Sequence, residues 1–186
     1  MVTDFQMEDG KARPVGPGET RSVFQWRRRI ERHGVPQSDA GGWIRHNEVN
    51  PANLGKRGDG PWLGSGRSGA YTDQDVRQVR SVLVESDDLP RELQLAYLAR
   101  AALPILAITD SGGRSYQALV QVASAEEGKR LLTALRRYGW DPCNHNASRL
   151  SRLPGALRKI RARDPEGGVI QRLIYLNHSP DGTPIL

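Results

Sequence analysis

Hydrophobic and polar positions change their spacing several times along this chain, and each change predicts an element. From Ser115 to Val122 they alternate. Tyr116, Ala118, Val120 and Val122 fall on one side, Ser115, Gln117 and Gln121 on the other. A period of two predicts a half-buried strand. Val82-Leu83-Val84 is a short apolar run that predicts a buried strand over 81–85, leaving into Glu85, Asp87 and Asp88. Pro104 to Thr109 predicts another strand and Val169 to Leu176 a last one. Between the first two, Leu93, Ala96, Leu98 and Ala101 predict the inner face of a helix capped by Asp88, with Pro90 in its first turn. Ser124 and Glu127 form a capping box for a second helix carrying Leu131, Leu132, Leu135 and Tyr138 and closed by Gly139. The order is β-α-β-β-α-β, the split ferredoxin-like arrangement, in an α/β (α+β) fold class. Trp140 to Gly168 is an insert before the last strand, and long inserts in compact domains tend to be functional.

Upstream the pattern is weaker. Residues 1–20 are polar and rich in Gly and Pro, and read as a disordered lead-in. Ser22 begins a helix with Val23, Trp26 and Ile30 at helical spacing, closed by Gly34 and Pro36. Trp43 to Asn47 is a short strand candidate within a Gly-, Asn- and Pro-rich stretch that runs to Gly69. Gly64 to Gly69 matches G-x-G-x-x-G, but no strand leads into it and no amphipathic helix leaves it, so it predicts a loop rather than a dinucleotide site. Thr72 and Asp75 predict a capped short helix bearing Val76 and Val79. The domain reading is a lead-in at 1–20, an N-terminal module at 21–80 and a larger half at 81–186.

Charge adds a partner. The net charge is +6, carried mostly by Arg, which favours a polyanion such as nucleic acid or nucleotide over an acidic protein. A lone cysteine, Cys143, excludes an internal disulfide and suits a reducing compartment. No apolar run is long enough to span a membrane and no secretory core opens the chain, so a soluble cytoplasmic protein is expected. The chain ends at Leu186, close to the last predicted strand, which suggests a domain excised from a longer protein.

The chemistry gathers at the exit of the first strand. Glu85 and Asp87 point the same way, opposite Val82 and Val84. Two like charges side by side call for a counter-charge, and hard carboxylate oxygens suit Mg²⁺ or Mn²⁺. The alternative is that both are solvated strand-end charges. The polar side of the 115–122 strand, with Gln117, is expected beside them on the face the helices leave open. The turn Ser111-Gly112-Gly113-Arg114-Ser115 offers N–H groups, hydroxyls and a guanidinium, a set that can cradle phosphate or simply turn a hairpin. In the insert, Asp141 is either a further metal ligand or a turn-initiating residue before Pro142. Arg149, Arg152 and Arg158 could clamp a triphosphate or coat an exposed loop. Cys143 and His145 have no second pair spaced for zinc. Arg27, Arg28, Arg45 and Asn47 are candidate nucleic-acid contacts, with a solvated helix face as the alternative for the first two.

The array Glu85-x-Asp87, Ser111-Gly-Gly-Arg-Ser115-x-Gln117, then Asp141 with Arg149-Leu-Ser-Arg152-Leu-Pro-Gly155 resembles the archaeo-eukaryotic primase superfamily. Its nearest likeness is to the primase-polymerase domains of plasmids, phages and integrated elements, and it covers about Trp43 to Arg158. The resemblance implies an RNA-recognition-motif-like catalytic half behind a smaller α/β half. It implies template-dependent joining of NTPs or dNTPs on single-stranded DNA with two divalent metals, Mg²⁺ or Mn²⁺, and a fused or associated helicase is a further expected partner. By it Glu85, Asp87 and Asp141 are metal ligands and catalytic. Ser111, Gly113, Arg114, Ser115, Gln117, Arg149 and Arg152 hold the nucleotide. Gln117 stands where the family has His, and it cannot carry the positive charge a His can. A catalytically weakened or inactive binding domain is therefore the alternative.

Overall fold

The alternating stretch forms the strand it predicts, at the centre of a four-stranded sheet. In the computed structural model, which describes residues 2–3, 5–8, 11–14, 22–37, 41–50, 72–159 and 167–178, three strands come first: β1 (Val2–Thr3), β2 (Phe5–Glu8) and β3 (Lys11–Pro14). Helix α1 (Val23–His33), β4 (Trp43–Arg45), β5 (Glu48–Val49) and β6 (Val76–Gln78) follow. The larger half runs β7 (Ser81–Val84), α2 (Arg91–Arg100), β8 (Ile105–Asp110), β9 (Tyr116–Gln121) and α3 (Ala125–Leu135). The insert then supplies β10 (Leu150–Arg152) and β11 (Leu157–Arg158), before β12 (Val169–Ile170) and β13 (Arg172–Leu176). The fold is mixed α/β, as the hydropathy pattern predicts. No helix among the described residues is long and apolar enough to cross a membrane. The G-x-G-x-x-G stretch lies outside the described residues.

The main sheet is antiparallel, in the order β13-β8-β9-β7. β7 and β9 are neighbours, with Val82 opposite Val120 and Val84 opposite Ala118. One face of both packs under the helices. Val82, Val84, Ala118, Val120 and Val122 share a core with Leu98, Leu132, Leu135 and Trp140. Each such aliphatic side chain contributes roughly 1.5–3 kcal/mol by leaving water. α3 lies close because Gly128 faces Val82, and a Cβ at 128 would overlap the valine Cγ1.

The last strand departs from the ferredoxin-like order. β13 pairs with β8, Arg172 opposite Asp110 and Leu176 opposite Ala107, so β7 is an edge strand of this sheet and β8 and β9 hold its middle. The outer edge of β7 is already engaged at both ends. The Asn47 amide donates to Ser81 C=O at 3.0 Å, and Asp141 N–H donates to Glu85 C=O at 2.9 Å. A strand cannot add where those groups sit.

The face expected to be open is covered. Leu83 is fully buried on it, and a second sheet, β1-β4-β10, brings Arg152 N–H within 2.7 Å of Gln117 Oε1. That sheet also corrects the reading of the lead-in, because Val2 and Thr3 pair with Ile44 and Trp43.

Three local expectations fail for identifiable reasons. The capped helix at Thr72 is one 3-10 turn, Asp73–Asp75, and Val76 joins β6 instead, since it pairs with Val49. Asp88 caps nothing; α2 begins at Arg91 after Pro90, and the Ser86 hydroxyl accepts from the Asp88 and Leu89 N–H groups at 3.2 and 3.0 Å. On α2, Leu93 is 57 % exposed and Ala96 is exposed, while Gln94 is fully buried. The two N–H groups of the Gln94 amide are shared among the carbonyls of Ser86, Leu89 and Arg114, and its oxygen accepts from Tyr116 N–H, and this pairing outweighs the side-chain hydropathy of the helix.

Candidate functional site

Between the two sheets lies a cavity of about 440 Å³, within the size range of small-molecule sites. Glu85 and Asp87 reach it from the exit of β7, Ser111, Arg114 and Ser115 from the β8–β9 turn, and Gln117 from β9. Trp43 and Arg45 come from β4, and Arg149, Arg152 and Arg158 from the insert. Five guanidinium groups thus face two carboxylates. A wall so charged is matched by a ligand carrying several negative charges.

Glu85 is the hinge of this arrangement. Its Oε2 accepts from Gln117 Nε2 at 2.6 Å and its Oε1 pairs with Arg149 at 3.3 Å. Gln117 is 7 % exposed and used at both ends, toward Glu85 and toward Arg152 N–H. It ties the acidic strand to β10. Asp87 is exposed at the cavity rim.

The arginines are individually braced. Arg152 stacks on Trp43, 3.9 Å from the ring centroid. Arg45 donates to Ser148 C=O. Arg158 is buried and donates to the carbonyls of Ser111 and Gly112, holding the β8–β9 turn from below. The same turn is held from α2: Arg91 donates to Gly113 C=O and pairs with Asp110, each at 2.7 Å. Inside the turn the Ser111 hydroxyl donates to Ser115 C=O at 2.6 Å, and Asp110 Oδ1 accepts from Gly112 N–H at 2.9 Å.

The structure does not bring every candidate together. Asp141 does not line the cavity. Its N–H donates to Glu85 C=O at 2.9 Å, and its Oδ1 accepts from Cys143 N–H at 2.7 Å, the turn geometry Asp adopts before a loop. Gly113 contributes its carbonyl to Arg91 and is not on the cavity wall. Among the described residues no three His, Cys, Asp or Glu side chains gather as a metal-holding group. The cavity offers two carboxylates, Glu85 and Asp87, and that pair fits a Mg²⁺-like cation whose remaining positions are filled from outside the protein.

Asn47 is corrected outright as a nucleic-acid contact. It is buried, and its amide is fully used: it accepts from Arg80 N–H and Ser81 N–H at 2.9 and 3.1 Å and donates to Ser81 C=O and Ala147 C=O at 3.0 and 3.1 Å. Arg27 and Arg28 lie on α1, away from the cavity wall. Arg27 pairs with Glu31 at 2.9 Å, and Arg28 covers Phe24 at 5.6 Å from its centroid. Trp43, Arg91 and Gln94 matter to the site and carry no spacing signal; burial reveals Trp43 and Gln94, and the contacts to Asp110 and Gly113 reveal Arg91.

No family model and no curated protein matches the chain. Among solved structures the chain is similar to the archaeo-eukaryotic primase (AEP) domain of the cyanophage S-2L primase-polymerase, at 22 % identity and a TM-score of 0.46, over 60 % of each chain.

Proposed function

We propose that this domain is a template-dependent nucleotidyltransferase of the primase-polymerase type. The observation that carries the reading is one cavity that collects Glu85, Asp87, Ser111, Arg114, Ser115, Gln117 and the insert arginines, most of the groups that make up the sequence resemblance, with Asp141 outside it. Arg45, Arg114, Arg149 and Arg152 line the same cavity and hold the triphosphate of the incoming nucleotide. Arg158 and Arg91 keep the turn rigid beneath it. Glu85 and Asp87 hold Mg²⁺ or Mn²⁺, which when bound neutralises charge on the phosphates and lowers the barrier to displacement. Single-stranded DNA supplies the template.

A second reading rests on Gln117. Its amide is committed to Glu85 and Arg152 N–H, so it brings no charge to the phosphates. The domain would then bind nucleotide or DNA with little or no synthesis.

Primer synthesis on single-stranded DNA with Mn²⁺ tests both. Glu85→Ala and Asp87→Ala are each expected to lower synthesis about 100-fold or more, and parent-like activity in both variants removes the enzyme reading. A large gain from Gln117→His marks a weakened enzyme. No gain, with DNA binding intact, marks a binding domain.

A further inference from the structure

We infer that Arg149 occupies the counter-charge role at Glu85 until a divalent cation displaces it, and that its release delivers a guanidinium to the nucleotide phosphates, so that cation and nucleotide bind cooperatively. This rests on the reading that the cavity takes both. The two oxygens of Glu85 are held unequally. Gln117 is buried and donates to Oε2 at 2.6 Å, whereas Arg149, with its side chain 38 % exposed, stands 3.3 Å from Oε1. A cation approaching Glu85 therefore meets one tight neutral contact and one looser charged contact.

Charge decides which yields. A divalent ion binds a carboxylate oxygen at about 2.0–2.1 Å, which sets it against the Arg149 guanidinium. Two like charges at that range repel, and the neutral Gln117 amide does not. Gln117 is also anchored at its far end by Arg152 N–H, while the Arg149 guanidinium adjoins the space lined by Arg45, Arg114 and Arg152. Arg149 leaves and joins them. The reverse follows by linkage: an anion that draws Arg149 away leaves Glu85 without its positive partner and raises its demand for a cation.

Mn²⁺ binding, read by electron paramagnetic resonance without nucleotide, tests this on the intact chain. Arg149→Gln is expected to bind Mn²⁺ about 3-fold tighter or more than the parent. Arg114→Gln removes one charge from the same cavity without touching Glu85, and is expected to change it less. If Arg149→Gln gains no more than Arg114→Gln while the parent binds Mn²⁺, Arg149 is not the competitor and the cavity reading survives. If the parent binds no Mn²⁺, both fall. A measurement on the parent alone guards against a folding defect in the variant. The side-chain Nε–H resonance of Arg149 is expected to shift on adding Mg²⁺, and an unmoved resonance beside shifted Glu85 signals overturns the displacement.

Discussion

His46 illustrates how a single side chain takes its chemistry from its neighbours. Its Nδ1 lies 2.8 Å from the Ser81 hydroxyl, and its Nε2 is enclosed with no hydrogen-bond partner. Burial, then the charges of Arg45 and Arg149, lower its pKa from 6.5 to about 4. The unfolded chain therefore takes up this proton first as pH falls. The stability that neutral His46 contributes is complete above pH 6.5 and is lost as pH drops toward about 4. That loss is at most about 3 kcal/mol. Urea unfolding across this range is expected to show the decline, and His46→Gln to flatten it; equal slopes in the two proteins would refute the assignment. The Ser-Gly-Gly-Arg-Ser turn was legible from its turn-forming residues, and the carboxylates from their place at the exit of a buried apolar run. The place of Gln117 beside Glu85 was legible too, but its bond to Arg152 N–H and what Asn47 does were not. A side-chain amide can bond anything, and its partners here come from segments far off in the chain.

At the level of elements, α2 carries the clearest lesson. A helix is read from its apolar stripe, yet α2 is seated by a polar residue. Gln94 joins the end of β7 (through Ser86), the approach to α2 (through Leu89), the β8–β9 turn (through Arg114) and the first residue of β9 (through Tyr116). It spaces the acidic exit from the arginine-bearing turn. Gln94→Leu keeps the volume and leaves these backbone groups unpaired. It is expected to cost about 1–3 kcal/mol, the cost of stranding the buried Ser86 carbonyl. Denaturant midpoints measure it, and a loss under about 1 kcal/mol would mean water takes over the bonds. The strands of the main sheet, in contrast, were readable from Val82 to Leu176, since buried runs and two-residue alternation need no distant partner. Their order was not, because the edge that β13 joins depends on which backbone groups Asn47 and Asp141 already hold.

For the molecule as a whole, the excess of Arg sets how the proposed DNA binding should respond to salt. If the single strand is held through its phosphates, log affinity falls linearly with log salt, with a slope of about −0.7 per phosphate neutralised. Three to five contacts would give a slope of roughly −2 to −3.5. Fluorescence anisotropy of a labelled oligonucleotide across a KCl series reads it directly, and a flat line would exclude a phosphate-led interface. Arg28→Gln on α1 separates the helix from the cavity: a slope reduced by about 0.7 assigns it one phosphate, and no change leaves it a solvated face.

The cavity is walled by segments far apart in the chain, from Trp43 to Arg158. Leu150, Ser151 and Arg152 pair with Arg45, Ile44 and Trp43, more than a hundred positions earlier. Contacts so distant close late, after local strands and helices have formed. On the ribosome, a nascent chain that has emerged only as far as Gly139 already carries Glu85, Asp87, Gln117 and the wall residues Trp43 and Arg45, but not the strand β10 that pairs with β4. Whatever this site does, it can begin only once translation has passed the insert, so a premature stop there yields a product that lacks Arg149, Arg152 and Arg158 from its cavity wall.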